Sequence, residues 1–94
     1  MITHVVMWKF LEGTEEKQTE FLTRLEGLYG VIDVIRDLKV YRTAKAGGEY
    51  DALLVSKFDT LADVDTYKND PRHLEVASLC KDIRTSRAAI DYEE

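Results

Sequence analysis

The sequence predicts an α+β domain in which one four-stranded antiparallel sheet is covered on one face by helices. Three observations carry this. Four stretches rich in valine, isoleucine, leucine and aromatic residues have the length and patterning of strands. Two segments between them place apolar residues three and four apart behind cap-forming residues, which is helical spacing. The stretches follow one another in the order β-α-β-β-α-β, and right-handed crossovers fold that order into a single sheet.

From Ile2 to Leu11 apolar side chains occupy both odd and even positions until Lys9 interrupts one row, the pattern of a strand buried on both faces. Gly13 ends it. Thr14 is the expected N-cap of the first helix, with Glu15 and Glu16 where the positive end of the helix dipole favours acids. Phe21, Leu22, Leu25, Leu28 and Tyr29 then form one apolar stripe, and Gly30 is the expected stop. Leu38, Val40 and Tyr41 place a second strand within 34–43, and Ala44 to Glu49, with Gly47-Gly48, suits a hairpin loop. Tyr50 to Phe58 is the third strand. Thr60 caps the second helix with Asp63 three residues on, and Leu61, Val64 and Tyr67 or Lys68 mark its inner side. Asp70-Pro71 breaks that helix and restarts another, because proline is tolerated at the first helical position and aspartate caps it. Leu74, Val76, Ala77, Leu79 and Cys80 continue helically, and Ser86 to Tyr92 is the last strand.

The resulting plan is ferredoxin-like. With 94 residues the chain is read as one domain, 1–94, large enough for one core. Helices on one side leave Val5, Met7, Leu53 and Val55 on an uncovered sheet face too apolar to stay wet, which predicts a homodimer packed sheet to sheet. A net charge of −5, from 13 basic and 18 acidic residues, argues against a nucleic-acid partner. No apolar run approaches the about 20 residues of a membrane span. The opening Met1-Ile2-Thr3-His4 lacks the basic start and apolar run of a signal peptide, and the single cysteine, Cys80, has no intrachain partner, so the expected location is cytoplasmic.

Two histidines, His4 and His73, are the residues most suggestive of chemistry, since imidazole titrates nearest neutral pH. His4 shares a side of its strand with Val6, Trp8 and Phe10; if that side faces the helices, His4 and His73 meet in one pocket with Tyr67. His73 falls near the third position of the restarted helix, where free amides favour the neutral ring. It then has two readings: a general base for an acidic carbon, or a partly buried ring bonded to strand backbone or to His4. Tyr67 is either a donor to a carbonyl oxygen gaining charge or an aromatic with a wet hydroxyl. His4 is expected to orient His73 through a ring-to-ring hydrogen bond. Trp8, Phe10, Leu54, Phe58 and Leu74 are core candidates that would line any cavity between sheet and helices. Asp70 reads as a cap. Asp91 and Glu93 have no basic cluster beside them in sequence that would suggest an active-site network. Two histidines without a carboxylate or cysteine at ligand spacing make a poor metal site, and no GxGxxG, P-loop or Ser-His-Asp spacing occurs, so no cofactor is expected. Cys80 reads as a buried small hydrophobe.

Taken together, His4-Val5-Val6-Met7-Trp8-Lys9-Phe10, Tyr50-Asp51, Phe58, Tyr67 with Pro71-Arg72-His73, and the closing Asp91-Tyr92 resemble the stress-responsive dimeric α/β-barrel (Dabb) family. The resemblance spans essentially the whole chain. It implies a dimer of ferredoxin-like subunits whose sheets form a barrel. Most members have no assigned activity, but one plant polyketide cyclase of the family closes its substrate by aldol condensation without metal or organic cofactor. Its catalytic tyrosine and histidine correspond to Tyr67 and His73, and a pocket histidine to His4; a further pocket histidine falls on Ala52, so pocket polarity differs there. Three functions are consistent with these residues: a cofactor-independent enzyme acting on a hydrophobic carbonyl compound, a non-catalytic dimeric barrel binding a hydrophobic metabolite, and, by superfamily analogy alone, a cofactor-free monooxygenase.

Overall fold

Strand β1 (Ile2–Phe10) is the inner strand on which the other elements are hung, as its two-sided apolar pattern requires. In the computed structural model, which describes residues 1–94, it is followed by α1 (Glu15–Glu26), β2 (Asp37–Arg42), β3 (Ala52–Phe58), α2 (Leu61–Asn69), α3 (Pro71–Ser78) and β4 (Arg84–Glu93). The sheet order is β2-β3-β1-β4, and every neighbouring pair is antiparallel. This is the ferredoxin-like α+β plan, with the second helix in two pieces.

Register decides which side chains share a face. Val6 lies opposite Leu54 of β3 and Ala89 of β4, and His4 opposite Ser56 and Asp91. Directly opposed residues point to the same side. His4, Val6, Trp8, Phe10, Ala52, Leu54, Ser56 and Phe58 are therefore all beneath the helices, and all are buried. Phe21, Leu22 and Leu25 of α1, Val64 and Tyr67 of α2 and Val76 of α3 close over them, with Phe21 meeting Trp8 edge to face at 5.2 Å. The core thus sits between the helices and β1, β2 and β3. Edge strand β4 is almost wholly exposed, because the helices lie over the other three strands.

The local signals were right in kind and wrong in detail at four places. Thr14 precedes α1, but its hydroxyl donates to the Leu11 carbonyl at 2.6 Å and accepts from the Gln18 side chain at 2.9 Å instead of capping a helical amide. Helix α1 ends at Glu26, a turn short of Gly30, so Leu28 stays in the core while Tyr29 turns to solvent. Leu61 at the first position of α2 is exposed, leaving Val64 and Tyr67 as that helix's inner face. Strand β4 begins at Arg84, two residues before the expected start. By contrast, Thr60 accepts from the Asp63 amide at 3.1 Å, and Asp70 accepts from the Arg72 amide at 2.8 Å. The Arg72 guanidinium also bonds Asp70 at 2.8 and 3.0 Å and holds its carboxyl down at about 2.

The opposite sheet face carries no helix. Val5, Met7, Leu53 and Val55 are only half-buried there, and Tyr41, Ile90 and Tyr92 are exposed beside them. No helix is long and apolar enough to cross a membrane.

Candidate functional site

Between the sheet and the helices lies a cavity of about 70 Å³. His4, Val6, Trp8 and Leu54 form its floor; Phe21, Leu25, Tyr67, His73, Ala77 and Cys80 form its roof; Lys68, Arg84 and Arg87, all exposed residues, stand at its rim.

His4 reaches the cavity because it belongs to the helix-facing row of β1, and it is only 3 % exposed. Its Nδ1 lies 2.6 Å from Oδ1 of Asp91, the residue directly opposite on β4. An ionised carboxylate can only accept, so the neutral ring donates its Nδ1–H and keeps its lone pair on Nε2. Burial lowers the His4 pKa, and the Asp91 hydrogen bond and charge oppose that shift.

His73 is the third residue of α3, and its Nδ1–H donates to the Lys68 carbonyl at 3.0 Å. That carbonyl is open to it because of the Asp70-Pro71 break. In a continuous helix the Arg72 amide would bond Lys68, but here it is turned onto the Asp70 carboxylate. His73 therefore also presents an unprotonated Nε2, and burial lowers its pKa.

Tyr67 stands between the two imidazoles, with ring centroids 6.3 Å from His4 and 4.4 Å from His73, backed by Phe58 at 5.3 Å. The residue is completely buried, and its hydroxyl has no protein hydrogen-bond partner. Burial raises its pKa, so the phenol stays protonated at physiological pH.

The lowered histidine pKa values have a thermodynamic signature. Above about 6.5, the ordinary histidine value, both rings are neutral folded and unfolded. As pH falls below it, the unfolded chain takes up protons first, so stability drops until the folded rings also charge. Each histidine contributes at most about 1.4 kcal/mol per pH unit in that window. Urea unfolding free energies are expected to decline on acidification from pH 7, with a shallower slope in His73→Gln; an unchanged slope would mean that His73 titrates as an exposed residue.

The sequence reading placed His4, Tyr67 and His73 together, and they do meet, with Trp8 and Leu54 also lining the cavity. Several details require correction. The two imidazoles are not bonded to each other: each is fixed separately, by Asp91 and by the Lys68 carbonyl. The Tyr67 hydroxyl is not wet at a rim but enclosed. Phe10 and Phe58 do not line the cavity; Phe10 packs against Phe21 beyond Trp8, and Phe58 lies behind Tyr67 as its support. Leu74 is 53 % exposed, because His73, Val76, Ala77 and Cys80 take the inward face of α3 and the turn after it. Asp91, Lys68, Arg84 and Arg87 were missed as site residues. Asp91 is set opposite His4 by the β1–β4 register, which no local signal in the sequence fixes. Cys80 is a buried free thiol whose pKa burial raises. No group of three or more His, Cys, Asp or Glu side chains is placed to hold a metal ion.

The family model described as Stress Responsive A/B Barrel Domain matches residues 2–94. No curated protein matches the sequence significantly. Among solved structures, a dimeric protein of unknown function with a ferredoxin-like fold from Bacteroides fragilis is 32% identical, with a TM-score of 0.89 over 99% of this chain and 95% of that one. Two more distant structures share the fold alone. One is the hydroxynitrile lyase of Passiflora edulis, with 13% identity and a TM-score of 0.84 over 97% of this chain and 90% of that one. The other is a putative antibiotic biosynthesis monooxygenase from Nitrosomonas europaea, with 14% identity and a TM-score of 0.85 over 100% of this chain and 98% of that one.

Proposed function

This chain belongs to the stress-responsive A/B barrel (Dabb) family, and from that premise we propose that it is a cofactor-independent enzyme performing acid–base chemistry on a carbonyl compound. His73 is the general base: its Nε2 takes a proton from the carbon beside the carbonyl. Tyr67 donates its hydroxyl hydrogen to the carbonyl oxygen as that oxygen gains charge. His4, held by Asp91, is the positioning residue on the cavity floor.

The observation that carries this reading is the Tyr67 hydroxyl, buried with no protein partner on a ring flanked by two imidazoles. A tyrosine serving only the core usually satisfies its hydroxyl. A cavity of about 70 Å³ is far below the roughly 300 Å³ of a drug-sized pocket, so it accommodates the reacting end of a molecule and not a whole polyketide. Proton abstraction is read directly by NMR as deuterium uptake beside the carbonyl of small ketones in D2O. His73→Ala is expected to lower the protein-catalysed exchange by about a hundredfold or more. Equal exchange in both proteins would leave the cavity as the binding site of a non-catalytic barrel. For the monooxygenase reading the only support is a shared fold, which does not identify a chemistry.

The functional unit we propose is a homodimer joined through the helix-free sheet face; two of the similar structures are described as dimeric. Val55→Lys would place a charge in the middle of that apolar face. Light scattering is expected to show a dimer for the native chain and a monomer for the variant. A native monomer would overturn the assignment.

A further inference from the structure

The rim of the cavity is cationic: Lys68, Arg84 and Arg87 stand there. Arg87 lies opposite Trp8 and Arg84 opposite Phe10 across the β1–β4 pair. Two residues three apart on a regular strand point to opposite faces. Here Lys9 pairs with Ser86 and Phe10 with Arg84, so Thr85 is an extra residue and the register shifts at that point. This bulge turns both arginines toward the helix side, where both line the cavity. They also line an open groove of about 400 Å³ that adjoins it, together with Lys81, Thr85 and Ser86. No aspartate or glutamate lines either space.

The absence of acids there is unusual for a chain of net charge −5. Every other arginine has a partner: Arg24 bonds Glu75, Arg36 bonds Asp59, Arg72 bonds Asp70, and Arg42 bonds Gln18 and Thr19. Arg84 and Arg87 form no ion pair; Arg84 has only the Cys80 thiol as a side-chain hydrogen-bond partner. Arg87 nonetheless acts inward, its charge disfavouring protonation of His4 and His73 and favouring ionisation of Tyr67 and Cys80.

We infer that Arg84 and Arg87 form an anion subsite at the cavity mouth, and that the substrate is a small carbonyl compound bearing a carboxylate. The carbonyl end enters the cavity and the carboxylate remains in the groove, where planar guanidinium forks match its geometry. The carbonyl half of this inference rests on the acid–base reading; the anion subsite stands on the arginines alone.

The probes are levulinate, a small oxo acid, and its neutral methyl ester, titrated against the full protein with the His4 and His73 ring signals followed by NMR. Levulinate is expected to bind about tenfold more tightly than the ester, from at least one charge-assisted hydrogen bond. In the double variant Arg84→Gln/Arg87→Gln the preference should vanish while the melting temperature is retained. Equal binding of acid and ester, no saturable binding of either, or a preference that survives the double substitution overturns the inference. Deuterium exchange in the same samples separates the two proposals. Arginine-dependent binding without accelerated exchange would sink the acid–base reading and leave the anion subsite standing. Exchange of the ester as fast as the acid, insensitive to both arginines, would do the reverse.

Discussion

Replacing Tyr67 by phenylalanine is expected to slow proton exchange by about a hundredfold while leaving the protein as stable as before, or more so. The two effects have one cause. Removing a single donor from a developing oxyanion typically costs about 10²–10³ in rate. In the resting protein the same hydroxyl is buried without a protein partner. A buried polar group left unpaired costs about 1–3 kcal/mol, and phenylalanine fills the same volume without it. Urea denaturation and deuterium exchange on the same preparation test both limbs. A variant that is less stable but equally active would show the hydroxyl to be structural.

Phe58→Ala is expected to be the most destabilising single change at the site, costing about 3–5 kcal/mol. Phe58 is completely buried, packs 5.3 Å from Tyr67 and meets the His4 ring edge-on at 6.5 Å. Small domains have only about 5–15 kcal/mol in total, so much of the margin would go. Phe58→Leu is the informative companion. It loses less volume, so the fold survives, but it removes the flat surface that supports the tyrosine ring. Exchange should fall in this variant although no group touching the substrate has changed. Full activity in Phe58→Leu would mean that Tyr67 is held by His4 and His73 alone.

How far the sequence could be read differs from residue to residue, for physical reasons. Periodicity and punctuation are local properties, so the strands, the Thr60 cap and the Asp70-Pro71 restart were legible directly. The meeting of His4, Tyr67 and His73 followed from which side of β1 the helices cover. The Asp91–His4 bond could not be read locally, because it joins residues 87 apart through a strand register that no local signal sets. The arginines were hidden more deeply. Counting by twos along an unbroken strand places Arg84 and Arg87 on opposite faces, and only the irregular pairing at Lys9 and Phe10 reverses that. Leu74 and Tyr29 failed for the opposite reason: their hydrophobicity suggested burial, but one helix uses its other face and the other ends too soon. Which His73 nitrogen keeps its lone pair depends on a carbonyl that only the helix break exposes.

The edge position of β4 bears on when the site comes into being. This strand holds Asp91, Arg84 and Arg87, pairs only with β1, and follows every other element of the fold in chain order. Ribosomal synthesis delivers it after the elements it completes. Until those residues leave the ribosome and zip onto the first strand, His4 has no carboxylate to orient it and the rim has no cations. A nascent chain can assemble its helices over three strands and still have no finished site, so competence arrives only when β4 docks, after the rest of the fold is in place.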